Sequence, residues 1–249
     1  MLAKNNGIVL SKIKYKDYDL IVKCYTQNRG VVSYILRGIL KSKKSQSKVV
    51  YFQPLSQIIF EENYRPNSEL HSIKEVKSKY IYKSLHTNIY KSAIVLFLAE
   101  VLSSVFKGEE KNEDLFHFIE TALQYLDNEE SYANFHLLFL LKLTRYLGFQ
   151  PANLGLNQAY FNLQSGIFET SETSIYSVSG KNLTILKDLL GINFDALESI
   201  RINASQRQDF LNMLLHYFEL HLAGFKKPKS LYILRELKME YTLYGDVNF

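Results

Sequence analysis

The chain has 249 residues, of which 47% are hydrophobic and 22% charged, with only 11 glycines and 4 prolines. This composition is typical of a globular protein of one or two domains and excludes a largely disordered or collagen-like chain. The single cysteine, Cys24, excludes an intramolecular disulfide and a multi-cysteine zinc site.

The sequence predicts no membrane segment. Its longest unbroken apolar runs are far shorter than the roughly 20 residues that a membrane span needs. Lysines recur through the first 20 residues, so these residues do not contain the apolar core of a signal peptide. We therefore expect a cytoplasmic protein with no membrane partner.

Positive charge is concentrated at the N-terminus. Residues 1–50 hold eleven Lys or Arg and only two acids, whereas the other residues carry a slight excess of acids. Such asymmetry favours a polyanionic partner, either nucleic acid or a membrane surface. The alternative is a solvated basic face that binds no ligand.

The first 80 residues have the pattern of β-strands. Short β-branched or apolar runs occur at 7–15, 20–26, 31–36, 55–60 and 73–80. Five short strands in this length predict a small closed barrel, most simply a five-stranded OB-type barrel. The segment 41–48 between the third and fourth runs is rich in Lys and Ser, has no apolar residue, and is predicted to be a mobile loop.

From residue 80 the apolar residues recur in steps of three and four. This spacing predicts helices over 80–106, 115–126, 132–147 and 183–190, a strong helix from an N-cap at Ser205 to about residue 224, and a short one at 230–237. Residues 153–180 are predicted to be irregular or weakly β. The expected fold is α+β, with an OB-fold domain at 1–80 and an α-helical domain at 81–249 that holds this insertion.

The chain has no recognisable catalytic motif. His216 and His221 are separated by about 500° around a helix, so they do not share a face as two metal ligands would. His117 and Glu120 are i,i+3 neighbours typical of a surface pair, and Cys24 fits a buried small hydrophobe. We therefore predict a protein that is not an enzyme and that holds no metal and no cofactor, although an enzyme site assembled from scattered residues is an alternative.

Basic and aromatic residues near the N-terminus form the candidate nucleic-acid site. Lys12 and Lys14 alternate with apolar residues, so both can project from one face of a strand. Single-strand binders pair such charges with aromatic rings on which bases stack. The predicted contacts are Lys12, Lys14, Arg37, Lys41, Lys43, Lys44 and Lys48, with Tyr34 and Tyr51 as base contacts. Because the chain has 18 Tyr and 16 Phe, aromatic residues are also expected near lysines by chance.

Several motifs resemble the RecO family of recombination mediators, in the same order along the chain. In the N-terminal part they are Ile8-Val-Leu10, Tyr15-x-x-Tyr18-Asp19, Thr26 with Arg29-Gly30, Arg37-Gly38, Lys41-Ser42 and Gln53-Pro54. In the C-terminal part they are Leu143-x-x-Tyr-Leu-Gly148-Phe-x-Pro151 and Lys229-Ser-Leu-x-x-Leu-Arg-Glu-Leu237. The resemblance covers nearly the whole chain.

This resemblance implies an OB fold, a helical domain and a function in DNA repair. Members of the family bind single- and double-stranded DNA, anneal complementary strands and, with RecR, help load RecA onto DNA coated by single-strand-binding protein. The helical domain would receive the acidic, Phe-ending tail of single-strand-binding protein, with Lys142, Arg145 and Arg235 as candidate rim residues. Many members carry a four-cysteine zinc module after the Gly-Phe-x-Pro motif, but residues 153–180 have no cysteine, so zinc is not expected here.

A second functional class remains open from the sequence. The protein could be a non-catalytic interaction scaffold whose basic face binds RNA or an acidic protein. Salt-dependent binding to DNA oligonucleotides would separate this alternative from a DNA-binding mediator.

Overall fold

The computed structural model describes residues 2–106, 108 and 110–236. They divide into two compact units, one up to Asn128 with Pro228–Leu234, the other Glu129–Lys227 with Arg235 and Glu236. Among the described residues, no helix has the length and apolarity needed to cross a membrane. The domain boundary near residue 80 stays a prediction, since the first compact unit includes the helices that follow it.

The first unit begins with the five-stranded barrel that the sequence predicted. Its strands are β1 Leu2–Tyr15, β2 Asp19–Thr26, β3 Gly30–Leu36, β4 Gln57–Asn63 and β5 His71–Ser78. They close in the order β1-β2-β3-β5-β4, and every pairing is antiparallel except the short parallel pairing of β3 with β5. The OB-type barrel is thereby confirmed.

Alternation along the strands fills the barrel interior. Val22 and Cys24 of β2 and Val32 and Tyr34 of β3 are buried in one core cluster with Phe60 of β4. Because successive strand residues face opposite sides, this period of two sends their neighbours outward. Cys24 is buried, as predicted.

The prediction of a mobile loop at 41–48 is wrong. The segment forms helix α1, Lys43–Gln46, followed by a 3₁₀ helix, Ser47–Phe52. Ser42 starts α1 through a capping box with Ser45, which satisfies backbone donors that a free loop would leave to water. Phe52 is buried in the barrel core and Val49 packs against it, so apolar residues just after the lysines fix the segment in place.

The first unit also contains two longer helices: α2, Ile89–Val105, and α3, Glu113–Asn128. The helix predicted over 80–106 therefore begins nine residues later than expected. Asn88 caps α2, and its side chain accepts hydrogen bonds from two backbone N–H groups of the first turn. Residues 83–85 before it are held instead by Asp127 of α3.

The second unit is mainly helical. It contains α4, Phe135–Tyr146, α5, Gly180–Leu189, a 3₁₀ helix, Phe194–Ser199, and α6, Ala204–His221. The N-cap of α6 is Asn203 rather than Ser205, because Asn203 and Gln206 form a reciprocal capping box. Residues 231–236 are helical, of which 231–234 belong to the first unit, and residue 237, the predicted end of that helix, lies outside the described residues.

The insertion at 153–180 contains a small sheet. Strands β6 Tyr160–Asn162, β7 Ile167–Glu169 and β8 Ser177–Val178 pair antiparallel in the order β7-β6-β8. Phe161 and Phe168 are buried with ring centroids 5.0 Å apart. Across the part of the chain that the structure describes, no three His, Cys, Asp or Glu side chains are grouped to hold a metal ion.

Candidate nucleic-acid interface

The β1–β2 hairpin carries the first two predicted basic contacts. Lys12 pairs with Val22 and Lys14 with Leu20 across the two strands. Residues directly opposite in an antiparallel pair share a face, so the two lysines lie on one face of the hairpin. All residues from 12 to 18 are exposed, so this part of the hairpin presents its side chains to solvent.

Backbone contacts join the turn of this hairpin to the basic segment that follows β3. The Leu40 N–H donates to the Tyr18 carbonyl at 2.9 Å, and the Gly38 N–H donates to Asp19 Oδ1 at 2.7 Å. The Gln46 side chain of α1 donates in turn to the Leu40 carbonyl at 2.9 Å. We call the surface formed by residues 12–18 and 37–48 the basic end of the barrel.

All seven predicted basic residues lie on the basic end, and their side chains are exposed. They are Lys12, Lys14, Arg37, Lys41, Lys43, Lys44 and Lys48. Lys12 differs from the others because partial burial lowers the pKa of its ammonium group. Contact of these residues with nucleic acid stays a prediction.

Tyr34 does not have the position predicted for a base contact. Its ring is fully buried in the barrel core, 5.1 Å from the Phe60 ring and roughly edge-on to it. Its hydroxyl donates to Glu62 Oε2 at 2.7 Å, and burial raises its pKa well above the ordinary value. No face of the Tyr34 ring is open to a base, so this prediction is wrong. Tyr51 is half-buried against the same core and remains a predicted contact.

Three residues at the hairpin turn, Tyr15, Lys16 and Tyr18, were not among the predicted contacts, although the two tyrosines lie between the basic residues in the sequence. Tyr15 is 38% exposed, Tyr18 is 53% exposed, and Lys16 between them is exposed with a positive φ of 53°. The Lys16 Nζ atom lies 5.4 Å from the centroid of the Tyr15 ring. The sequence does hold a signal for them, since the Lys-Asp pair between the two tyrosines is polar turn chemistry directly after a strand.

Arg29 belongs to a different cluster, built around the buried carboxylate of Glu62. Its Nε atom lies 3.3 Å from Glu62 Oε1, which also accepts from the Asn5 side chain at 3.2 Å. The Arg29 guanidinium lies 3.8 Å from the centroid of the Tyr64 ring. These contacts assign the charge of Arg29 to the barrel structure rather than to the basic end.

The predicted partner-binding residues lie on different elements of the second unit. Lys142 and Arg145 are one turn apart on α4, and the Lys142 Nζ donates to Asn193 Oδ1 at 3.0 Å. Burial lowers the pKa of Lys142. Arg235 instead donates to Asn212 of α6 at 2.8 Å.

Asn212 also lines an open groove of about 580 Å³ in the second unit. The groove has an apolar part and a polar part. Its lining residues are Leu163, Val178, Ser179, Lys181, Asn182, Asp209, Asn212 and Met213. Arg235 therefore lies beside the groove, whereas Lys142 and Arg145 are not among its lining residues.

Comparison with known families and proteins matches nearly the whole chain. The family described as Recombination protein O N terminal matches residues 1–82, and Recombination protein O C terminal matches 86–154 and 155–231. Similar curated proteins are the DNA repair protein RecO of Christiangramia forsetii, 48% identical, and that of Flavobacterium johnsoniae, 41% identical. The one from Bacteroides fragilis is 38% identical. Each comparison covers 95% of this chain and 99% of the relative.

Proposed function

Because the chain belongs to the RecO family of DNA repair proteins, we propose that it binds single- and double-stranded DNA and anneals complementary strands. With RecR, it helps load RecA onto DNA that is coated by single-strand-binding protein. The observation that carries this proposal is the basic end of the barrel.

The arrangement of the basic end supports phosphate binding. Its cations are exposed, so each can approach a phosphate without first losing a protein partner. Helix α1 and the hairpin turn are fixed by backbone hydrogen bonds, so the lysines extend from a defined surface. Contacts of this kind hold a nucleic acid regardless of its sequence, which suits a protein that must act on any damaged DNA.

The test is binding of a labelled single strand by fluorescence anisotropy over a series of salt concentrations. If about four lysines neutralise phosphates, log K falls against log salt with a slope of roughly −3. Replacing Lys41, Lys43 and Lys44 together with Ala should weaken binding to every sequence equally and bring the slope nearer to about −1. Circular dichroism confirms that the triple variant is folded.

A charge-matched variant provides the control. Lys226, Lys227 and Lys229 are exposed and lie outside the basic end, so their joint replacement with Ala removes the same net charge. This control should keep the parent's affinity, slope and strand-annealing rate. A folded triple variant of the basic end that keeps all three would contradict the proposed DNA surface. Equal binding of RNA, without annealing of DNA, would favour the interaction scaffold instead.

The groove of the second unit suits the acidic tail of single-strand-binding protein. Leu163, Val178 and Met213 offer apolar contact for a terminal Phe ring, while Lys181 and the neighbouring Arg235 offer charge for carboxylates. A tail peptide with its terminal Phe should bind, and one that lacks it should not. If Arg235→Ala leaves the affinity unchanged while Lys142→Ala or Arg145→Ala lowers it, the tail binds on α4 instead.

A further inference from the structure

We propose that Tyr15 and Tyr18 stack on the unpaired bases of single-stranded DNA that is bound at the basic end. This inference rests on the proposed DNA-binding function and adds the residues that recognise the base rather than the phosphate. Phosphate contacts alone do not distinguish an unpaired base from a paired one, because both backbones carry the same charge on each nucleotide.

The exposure of these two rings sets them apart from the other aromatic residues. Among the described Tyr and Phe residues, three are exposed: Tyr15, Tyr18 and Tyr232. Two of the three lie within four residues of each other, Tyr15 at the end of β1 and Tyr18 in the turn that follows it. An aromatic ring left in water beside several cations has the composition of a single-strand binding surface.

The turn holds the rings on a fixed backbone. Tyr15 is the last residue of β1 and pairs with Asp19 of β2. The Tyr18 carbonyl accepts the Leu40 N–H at 2.9 Å, and Asp19 accepts the Gly38 N–H. Because the backbone is already ordered, a base that stacks here restricts little more than the two side chains.

The charges around the rings fit the ligand. Lys16 has its ammonium group 5.4 Å from the Tyr15 centroid, so a cation lies close to one stacking surface. A nucleotide presents a phosphate within one residue of each base, and Lys16 can bind that phosphate while the ring contacts the base. Ile13, 58% exposed and two residues before Tyr15, extends the apolar surface on the same face of β1.

The experiment compares two single strands that differ only in their bases. One is an oligothymidine of about 20 nucleotides, and the other has the same backbone length with abasic sites throughout. The full-length protein should bind the oligothymidine more tightly. Tyr15→Leu with Tyr18→Leu should weaken binding to oligothymidine by roughly fivefold to a hundredfold, leave binding to the abasic strand unchanged, and preserve the salt slope.

Matched variants separate stacking from other effects. Tyr15→Phe with Tyr18→Phe keeps both rings and should keep the preference for oligothymidine. Tyr232→Leu removes an exposed ring outside the basic end and should behave like the parent. These variants keep side chains of similar bulk at exposed positions, so their circular dichroism should match that of the parent.

Other outcomes would overturn the stacking role. A folded Leu double variant that keeps the parent's preference for oligothymidine would show that the bases lie elsewhere, while the DNA-binding proposal would stand. An equal loss of affinity for both strands would assign the tyrosines to backbone support rather than base contact. A parent protein that binds neither strand would contradict the proposed function itself.

Discussion

Asp127 should contribute strongly to the stability of the first compact unit. Its carboxylate accepts the backbone N–H groups of Lys83, Ser84 and Leu85 at 2.9, 2.8 and 2.8 Å, and its residue is 3% exposed. The buried Lys91 ammonium donates to the Asp127 carbonyl at 2.9 Å. Hydrogen bonds to a charged group contribute about 1.5 to 3 kcal/mol each, and they are not fully additive.

We expect Asp127→Ala to lower the free energy of unfolding by about 3 to 5 kcal/mol, because three backbone N–H donors lose their anionic acceptor and the buried Lys91 ammonium loses a nearby negative charge. Asp127→Asn keeps one carbonyl oxygen but presents an NH₂ group to the remaining donors, so its loss should be about half as large. Urea unfolding followed by circular dichroism measures both. An Asp127→Ala midpoint that matches the parent would refute this account of the segment.

The hydrogen bonds to the Asp127 carboxylate also predict how the stability of the protein depends on pH. Burial alone would raise the pKa of Asp127, but the three backbone N–H groups and the charge of Lys91 hold this pKa below its ordinary value. A carboxyl whose pKa is lowered by folding stabilises the folded state fully above its unfolded pKa of about 4. The stabilisation is lost as the pH falls through the folded pKa, so the difference between parent and Asp127→Asn should shrink in strong acid.

Four further predictions concern the barrel and metal content. Tyr34→Phe should lower stability by about 1.5 to 3 kcal/mol through the lost bond to Glu62, and should leave affinity for a single strand unchanged. Gly30→Ala should cost more than about 2 kcal/mol in thermal or urea unfolding, since φ is 67° and the new Cβ would lie 2.5 Å from the Glu110 carbonyl oxygen. The Cys24 thiol, whose pKa is raised by burial and then by Glu62, should react with a thiol reagent only after unfolding. Elemental analysis should find no stoichiometric zinc, and a chelator should leave the melting temperature unchanged; tight zinc that is lost together with stability would contradict this.

The barrel was predictable from the sequence because each strand carries its own signal. A strand with one buried face shows period-two alternation, and Val22, Cys24, Val32 and Tyr34 display it directly. The late start of α2 was not predictable in this way. Leu85 is fully buried and continues the helical spacing, but what prevents a helix there is Asp127, more than 40 residues further along the chain.

At the candidate site, the positions of the basic residues were predictable from the sequence, but the exposure of the tyrosine rings was less so. Lysines on a folded surface are nearly always exposed, so the clustering of positive charge in the sequence was enough to locate the basic end. Tyrosine is amphipathic and occupies both cores and surfaces, so proximity to lysines says little about its exposure. The alternation of residues along β3 could have shown that Tyr34 is buried. Val32, Tyr34 and Leu36 are two residues apart, so they face the same side of the strand, and all three are buried.

Tyr34 is buried where the barrel has its shortest strand pairing, between β3 and β5. Strands β3 and β5 close it through only two residue pairs, Tyr34 with His71 and Ile35 with Ser72. Because so short a pairing supplies few backbone hydrogen bonds, side-chain contacts must help to hold β3 against β5. Tyr34 contacts the His71 ring edge-on at 6.2 Å and donates to the Glu62 carboxylate of β4, joining three strands at one point.

Glu62 completes the side-chain contacts at this closure of the barrel, and its carboxylate is buried there. Desolvation disfavours a buried carboxylate unless donors surround it, and here Asn5, Arg29 and Tyr34 supply them. Because these donors come from β1, from the β2–β3 turn and from β3, they are satisfied together only when the strands are in the observed register. Tyr34 is therefore a structural residue of the barrel closure, in agreement with the expectation that Tyr34→Phe lowers stability and leaves affinity for a single strand unchanged.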